Sequence, residues 1–229
     1  MKALFVNGSP RKNWTTYQML EQAMNGAADA GAEVEMVNLY DMAAFKGCVS
    51  CFACKLKNSK TNGLCAFQDP LTPVLEKAHA ADVVVVGSPI YFSHPTGPMR
   101  SFMERLMFPV LTYNAKMDEE TGKMKSTILD RTIPTGMIYT MGCPESMIAE
   151  CHYPEMFAET DKFLNMLFGY GETVYTYNAY QFDDYSRYDV SKAVEPMRAK
   201  YRDEQYPNDL QNAYEMGQRL VQKAKEAQK

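Results

Sequence analysis

Lys2-Ala3-Leu4-Phe5-Val6-Asn7-Gly8-Ser9-Pro10-Arg11-Lys12-Asn13-Trp14-Thr15-Thr16 is the stretch that decides the fold class. Ala3 to Val6 is an apolar run without alternation, the pattern of a strand buried on both faces. Asn7-Gly8-Ser9-Pro10 stops it with turn-forming residues. Tyr17, Met19, Leu20, Ala23 and Met24 then recur at the spacing of a helix's inner face. A buried parallel strand that ends at the mouth of a helix leaves free backbone N–H groups and the positive end of a dipole at one spot. Ser9, Thr15 and Thr16 add hydroxyls there, and Arg11 and Lys12 add charge. These residues predict a phosphate cradle. An ordinary strand–turn–helix corner capped by Ser or Thr accounts for one or two of the hydroxyls, but not for both cations as well. Neither G-x-x-x-x-G-K-[ST] nor G-x-G-x-x-G is present, so one terminal phosphate monoester fits better than a diphosphate.

The remaining chain repeats the strand–helix pattern. Gly31 stops the first helix, and Glu33-Val34-Glu35-Met36-Val37-Asn38-Leu39 alternates as a strand. Residues 46–66 form a cysteine-bearing loop. Asp69-Pro70 introduces a helix through Val74, Leu75 and Ala78. Val83-Val84-Val85-Val86-Gly87 reads as a central parallel strand, buried on both faces. Ser88 to Pro98 follows as a long aromatic and hydroxyl-bearing loop at its carboxyl end, the edge where open α/β sheets bind ligands. Met99, Phe102, Met103, Leu106 and Met107 mark the next helix. Residues 109–131 read as a polar excursion or lid with a turn at 118–123. Ile133 to Met141 is a fourth core strand, leading to a third ligand-facing loop at Gly142-Cys143-Pro144. Residues 157–168 read as helix, 173–177 as a fifth strand, and 181–189 as an aromatic, acidic loop. Residues 190–228 are helical with a break near Tyr206-Pro207. The class is α/β with a doubly wound parallel sheet, and the expected organisation is a single domain over 1–229.

Bulk properties narrow the function. At 229 residues, 46% hydrophobic and 23% charged, the chain has the size and composition of one large globular domain. A net charge of −4 argues against general nucleic-acid or anionic-membrane binding. No stretch approaches the roughly 20 apolar residues of a membrane span. The first residues move straight into a core strand without a signal-peptide pattern, so a cytoplasmic location is expected. There, six cysteines are read as metal ligands, redox groups or buried thiols rather than structural disulfides. The 17 Met and 15 Tyr fill core gaps in the plainer reading, and also suit a rim around a flat conjugated ligand.

Three segments together resemble the NADPH-dependent FMN reductase and iron-sulfur flavoprotein group. They are Asn7-Gly8-Ser9-Pro10-Arg11-Lys12-Asn13, Gly47-Cys48-Val49-Ser50-Cys51-Phe52-Ala53-Cys54 and Gly87-Ser88-Pro89-Ile90-Tyr91-Phe92. The resemblance implies a flavodoxin-like five-stranded sheet of order 2-1-3-4-5, here with an excursion after the third helix and a C-terminal helical extension. It also implies bound FMN, NAD(P)H as co-substrate, and a homodimer or homotetramer with flavins close to subunit contacts. By the same resemblance Ser9, Arg11, Lys12, Asn13, Thr15 and Thr16 hold the FMN phosphate. Pro89, Ile90, Tyr91, Phe92 and Ser93 lie along the isoalloxazine, Gly97 allows close approach, and Thr140, Met141 and Gly142 border the other side. The group often continues its first loop as Asn-Gly-Asn-Thr, whereas this chain has Asn13-Trp14-Thr15-Thr16. Thr16 matches; Trp14 is bulkier, and Thr15 replaces an amide. No Ser-His-Asp set is apparent. His94 is a weak acid–base candidate, and a structural or surface role is favoured for it.

Cys48, Cys51 and Cys54 are spaced C-x2-C-x2-C, with Cys65 further on. In iron-sulfur members of the group four thiolates in a compact run hold a [4Fe–4S] cluster. Here an insertion with three lysines separates Cys54 from Cys65. Reduced thiols near the flavin edge are therefore preferred to a cluster, and a zinc knot ranks below both because zinc ligands usually come as two separated pairs. Cys143 and Cys151 read as structural. The expected activity is an FMN-dependent NAD(P)H oxidoreductase serving a small acceptor of the quinone, flavin or nitroaromatic class. The alternatives are an electron-transfer flavoprotein acting between protein partners and a flavin-free ligand-binding module.

Overall fold

The computed structural model describes residues 1–117 and 124–228. Strand β1 (Lys2–Asn7) leads into helix α1 (Thr15–Asp29), and β2 (Glu33–Asn38) follows. A long irregular segment carrying the cysteines reaches α2 (Thr72–Ala80). Then come β3 (Val83–Tyr91), the two-residue β4 (His94–Pro95) and α3 (Gly97–Val110). An antiparallel pair, β5 (Leu111–Met117) and β6 (Met124–Thr127), precedes β7 (Thr135–Thr140), α4 (Tyr153–Phe168) and β8 (Gly171–Thr176). Helices α5 (Val194–Glu204) and α6 (Tyr206–Ala227) follow.

The main sheet runs β2-β1-β3-β7-β8 with all four pairings parallel, which is the predicted order with β7 and β8 as fourth and fifth strands. The unalternating apolar runs sit where they must, in strands covered on both faces. Phe5, Val85 and Ile138 face α1 and α6 in one core, while Leu4, Val84, Val86 and Tyr139 face α2, α3 and α4 in the other. Strand order reverses between β1 and β3, and this opens a crevice beyond their carboxyl ends.

The C-terminal extension is integral to this packing. Helix α6 lies so close to α1 that a Cβ on Gly217 would stand 1.9 Å from the Ala23 carbonyl oxygen, and one on Gly26 would stand 1.9 Å from that of Tyr214. Ala213, Met216, Leu220 and Val221 fill the same interface.

Helix α4 begins four residues earlier than expected, β8 is shifted toward the N-terminus and β7 is shorter at both ends, and three further differences bear on the site. Strand β3 runs past Gly87 to Tyr91 and folds back onto β4 through Phe92 and Ser93, at φ 47° and 69°. Two positive φ values match a two-residue I′ turn, normally written with Asn and Gly. Phe-Ser carries no such signal, so the sequence reads as loop. Helix α3 includes Pro109 and ends one residue later. The expected polar excursion is in its described part the β5–β6 ribbon, and the turn placed at 118–123 lies outside the described residues.

Gly217→Ala should lower unfolding stability by about 1–3 kcal/mol, because backbone rather than a flexible side chain meets the new methyl. Urea unfolding checks this, and an unchanged midpoint would contradict so tight a helix crossing.

Candidate active site

Three loops that leave β1, β3 and β7 meet in one open cleft of about 160 Å³. Ser9, Arg11, Thr15 and Thr16 come from the first, Pro89, Ile90 and Tyr91 from the second, and Thr140, Met141 and Gly142 from the third. The arrangement at the first loop follows from local hydrogen bonding. The Asn7 side-chain oxygen accepts from the Ser9 N–H at 2.9 Å, and Ser9 Oγ accepts from the Arg11 N–H at 3.1 Å, which curls the chain tightly. Helix α1 then starts with no side-chain cap and no acidic residue in its first turn, so its orphan N–H groups and dipole remain available to an anion. Gly87 permits Leu20 of α1 to lie directly on β3, since a Cβ there would meet it at 2.8 Å. At that depth Thr16 Oγ1 reaches Thr140 Oγ1 at 2.6 Å, tying the first loop to the third.

The cleft is also shaped by a fourth segment that sequence reasoning missed. Ala179, Tyr180 and Gln181, beyond β8, close its side together with Trp14. Trp14 Nε1 donates to the Tyr180 carbonyl at 2.7 Å, and the Arg11 guanidinium donates to the Gln181 carbonyl while lying 5.3 Å from the Trp14 ring centroid. The only available signal was positional, because this segment too leaves the carboxyl end of a parallel strand. Burial, then the neighbouring Tyr40, push the Tyr91 phenol up against the opposing pull of Arg11, so its hydroxyl remains a donor at neutral pH.

A family model described as NADPH-dependent FMN reductase matches residues 1–126, more than half of the chain. The chain belongs to that family. An iron-sulfur flavoprotein of Archaeoglobus fulgidus is 36% identical over 105 residues, which are 46% of this chain and 48% of that protein. One of Methanocaldococcus jannaschii is 31% identical over 105 residues, 46% and 51% of the two chains. The chain thus spans about half the length of the curated relatives it matches. Among solved structures, an NAD(P)H:quinone oxidoreductase from Methanothermobacter marburgensis superposes with a TM-score of 0.63 at 16% identity, covering 96% of this chain and 98% of the other. An azoreductase from Bacillus anthracis gives 0.60 at 16% identity, covering 96% and 99%. These superpositions support the flavodoxin-like fold, and the family implies FMN as cofactor and NADPH as reductant.

The cleft fits that cofactor in its donor set, with hydroxyls and an uncapped helix start at one end and Pro89, Ile90 and Met141 at the other. Not every expected residue is there. Lys12 turns away to pair with Asp41 at 2.7 Å. Asn13 borders a neighbouring pocket instead. Phe92 and Ser93 form the hairpin tip, with Phe92 wholly exposed, and neither lines the cleft. Gly97 begins α3 with open space where a Cβ would stand, so no close approach to protein requires it. His94 is exposed and belongs to a groove between α3 and α4, not to the cleft. The backbone N–H of Met141 is committed to the Thr176 carbonyl at 3.0 Å and is not free for the ring.

Cys48, Cys51, Cys54 and Cys65 surround one tight apolar hollow of about 10 Å³ against the last two turns of α3. None of them lines the cleft, so the expectation of thiols at the flavin edge is not met within the chain. Two cations build the hollow. Arg105, fully buried, donates to Cys65 Sγ at 3.4 Å, to the Phe67 carbonyl at 2.6 Å, to the Lys46 carbonyl at 3.1 Å and to Asp69 at 2.7 Å. Lys55 donates to the carbonyls of Phe108, Pro109 and Leu111, capping the end of α3. Burial pushes the Cys54 thiol up, with Lys55 opposing. Among the described residues no three His, Cys, Asp or Glu side chains are grouped to hold a single metal ion. Cys143 and Cys151 lie outside the hollow; burial and then the neighbouring Cys151 push the Cys143 thiol up, and its Sγ donates to the Pro144 carbonyl at 3.6 Å.

Thr16→Val should weaken flavin binding by about tenfold, because it removes a hydroxyl and leaves Thr140 Oγ1 without this partner. His94→Ala should leave the flavin complement unchanged. Flavin-to-protein ratios after gel filtration read both; full occupancy in the first, or loss of colour in the second, would contradict the placement.

Proposed function

We propose that the chain acts as a single FMN-binding domain that takes electrons from NAD(P)H and passes them to a small acceptor of the quinone, flavin or nitroaromatic class. The observation that carries this reading is the convergence of the β1, β3 and β7 loops on one cleft, hydroxyl-rich and cationic at one end and apolar at the other. FMN, when bound, supplies the hydride and single-electron chemistry. The chain's part is to bind and orient. Ser9, Thr15 and Thr16 offer hydroxyls to the phosphate, the start of α1 offers N–H groups, and Arg11 offers charge. Pro89, Ile90 and Tyr91 on one side and Thr140, Met141 and Gly142 on the other hold the ring plane. Trp14 and Tyr180 limit water from the side. Two or more subunits would bring exposed Phe92 and the α3–α4 groove into play. Among the described residues no helix is long and apolar enough to cross a membrane.

The convergence of four thiols on one hollow favours a second reading, an electron-transfer flavoprotein with a [4Fe–4S] cluster. The names of the iron-sulfur flavoprotein relatives agree with it. Anaerobic stopped-flow mixing with NADPH and NADH separates the two. The oxidoreductase reading expects rapid bleaching near 450 nm, roughly where isoalloxazine absorbs. Slow reduction by both nucleotides, with about four irons and four sulfides per chain, would replace it with the carrier.

A further inference from the structure

Beside the cleft, and sharing Trp14 with it, lies a second open pocket of about 170 Å³ that the proposed function does not use. Trp14, Thr15, Ala179 and Tyr180 border both spaces. Most of the new pocket's wall comes from residues 177–206, beyond the part of the chain that the family model matches.

Its walls are aromatic, and the polar tips of Trp14, Tyr180, Tyr201 and Tyr206 are already occupied. Tyr201 Oη donates to Asp209 at 2.7 Å and accepts from the Tyr177 N–H at 3.2 Å. Tyr206 Oη donates to Gln18 Oε1 at 2.8 Å, and Trp14 Nε1 is bound to the Tyr180 carbonyl. Burial pushes the Tyr201 and Tyr206 phenols well above their ordinary range, so neither carries charge at neutral pH. What remains for a ligand is ring surface, the setting for a flat heterocycle. Two polar features break the pattern. Asn178 borders the pocket, and its Oδ1 is buried without a hydrogen-bond partner among the described residues. A buried acceptor left unpaired is unfavourable, and a ligand N–H that met it on a turn of the amide toward the pocket would relieve this. Arg202, half-exposed, stands at the pocket with its guanidinium 4.6 Å from the Tyr180 ring centroid and its Nε paired with Asp203 at 3.0 Å, so a phosphate would have to share it with that carboxylate.

We propose that this pocket is a nucleotide subsite for an adenosine 5′-phosphate moiety, with the base among the tyrosines, its amino group donating to Asn178 and its phosphate meeting Arg202. The inference rests on the oxidoreductase reading only for the ligand's source. The moiety belongs either to the reduced pyridine dinucleotide, anchored beside the flavin phosphate, or to a free adenine nucleotide.

Trp14 is the chain's one tryptophan, so its fluorescence reports this pocket directly. AMP added to the flavin-loaded protein should change the emission saturably. Asn178→Gly keeps the positive φ of 47° at that position while removing the amide, and should weaken AMP about tenfold. Arg202→Gln should weaken AMP about fivefold and leave adenosine unchanged. No saturable response to millimolar AMP, or equal affinity in Asn178→Gly with flavin retained, overturns the proposal. AMP that raises the KM for NADPH without altering kcat identifies the dinucleotide as source; saturable binding without competition identifies a free nucleotide. Failure of the protein to bind flavin would sink the oxidoreductase reading, while the Trp14 titration would still test the pocket.

Discussion

The structure of this site depends on how deeply α1 sits on the sheet. Gly87 removes the side chain that would hold Leu20 away from β3, and only then can Thr16 reach Thr140 across the intervening strand. One hydroxyl pair thereby couples the anion-facing start of a helix to the loop that borders a ring. The same helix is pressed from its other side by α6, where Gly26 and Gly217 let two backbones touch. The C-terminal helices therefore act on the cleft through α1, and their preceding segment closes it through Tyr180 and Gln181. Binding geometry and fold stability share one set of close approaches.

The cysteine segment obeys a different constraint. It has almost no regular secondary structure, so its backbone groups need partners from elsewhere. Arg105 and Lys55 supply them, one from inside α3 outward and the other from the loop back onto the end of α3. Removing Arg105 would leave Asp69 and two carbonyls short of a donor. Asp69 is raised by burial, but its bonds to Arg105 and to the Lys46 and Leu71 N–H groups outweigh this and leave it below the usual carboxylate range. Its contribution is thus complete above that range and is lost as pH falls through the lowered value. Four thiols end up facing one hollow because two cations fold the loop over it.

Most of the fold was legible. Unbroken apolar runs at Ala3–Val6 and Val83–Val86, separated by helical periodicity, indicate a parallel sheet, while its strand order was legible only through the family resemblance. The residues at the ends of β1, β3 and β7 were legible for the same reason, since topology alone brings them together. Phe92 and Ser93 misled because a positive-φ turn was written without Gly or Asn, which moved two expected ring contacts to a hairpin tip. Lys12 misled because charge near a helix start does not say which partner it will find, and Asp41 was nearer. Ala179, Tyr180 and Gln181 were invisible because their role comes from packing against Trp14, a contact spanning most of the chain. The four cysteines could be counted but not placed, because their position depends on the buried Arg105, whose bonds to Cys65, Phe67 and Asp69 come from packing.

The central claim is that hydroxyls and a helix start at the first loop recognise a phosphate while two other loops hold a ring. Equilibrium titration of flavin-free protein with FMN and with riboflavin isolates the first half of that claim. FMN should bind at least about a hundredfold more tightly, since several charge-assisted hydrogen bonds depend on the phosphate. Equal affinities would mean that the cradle holds no phosphate, and would contradict the account.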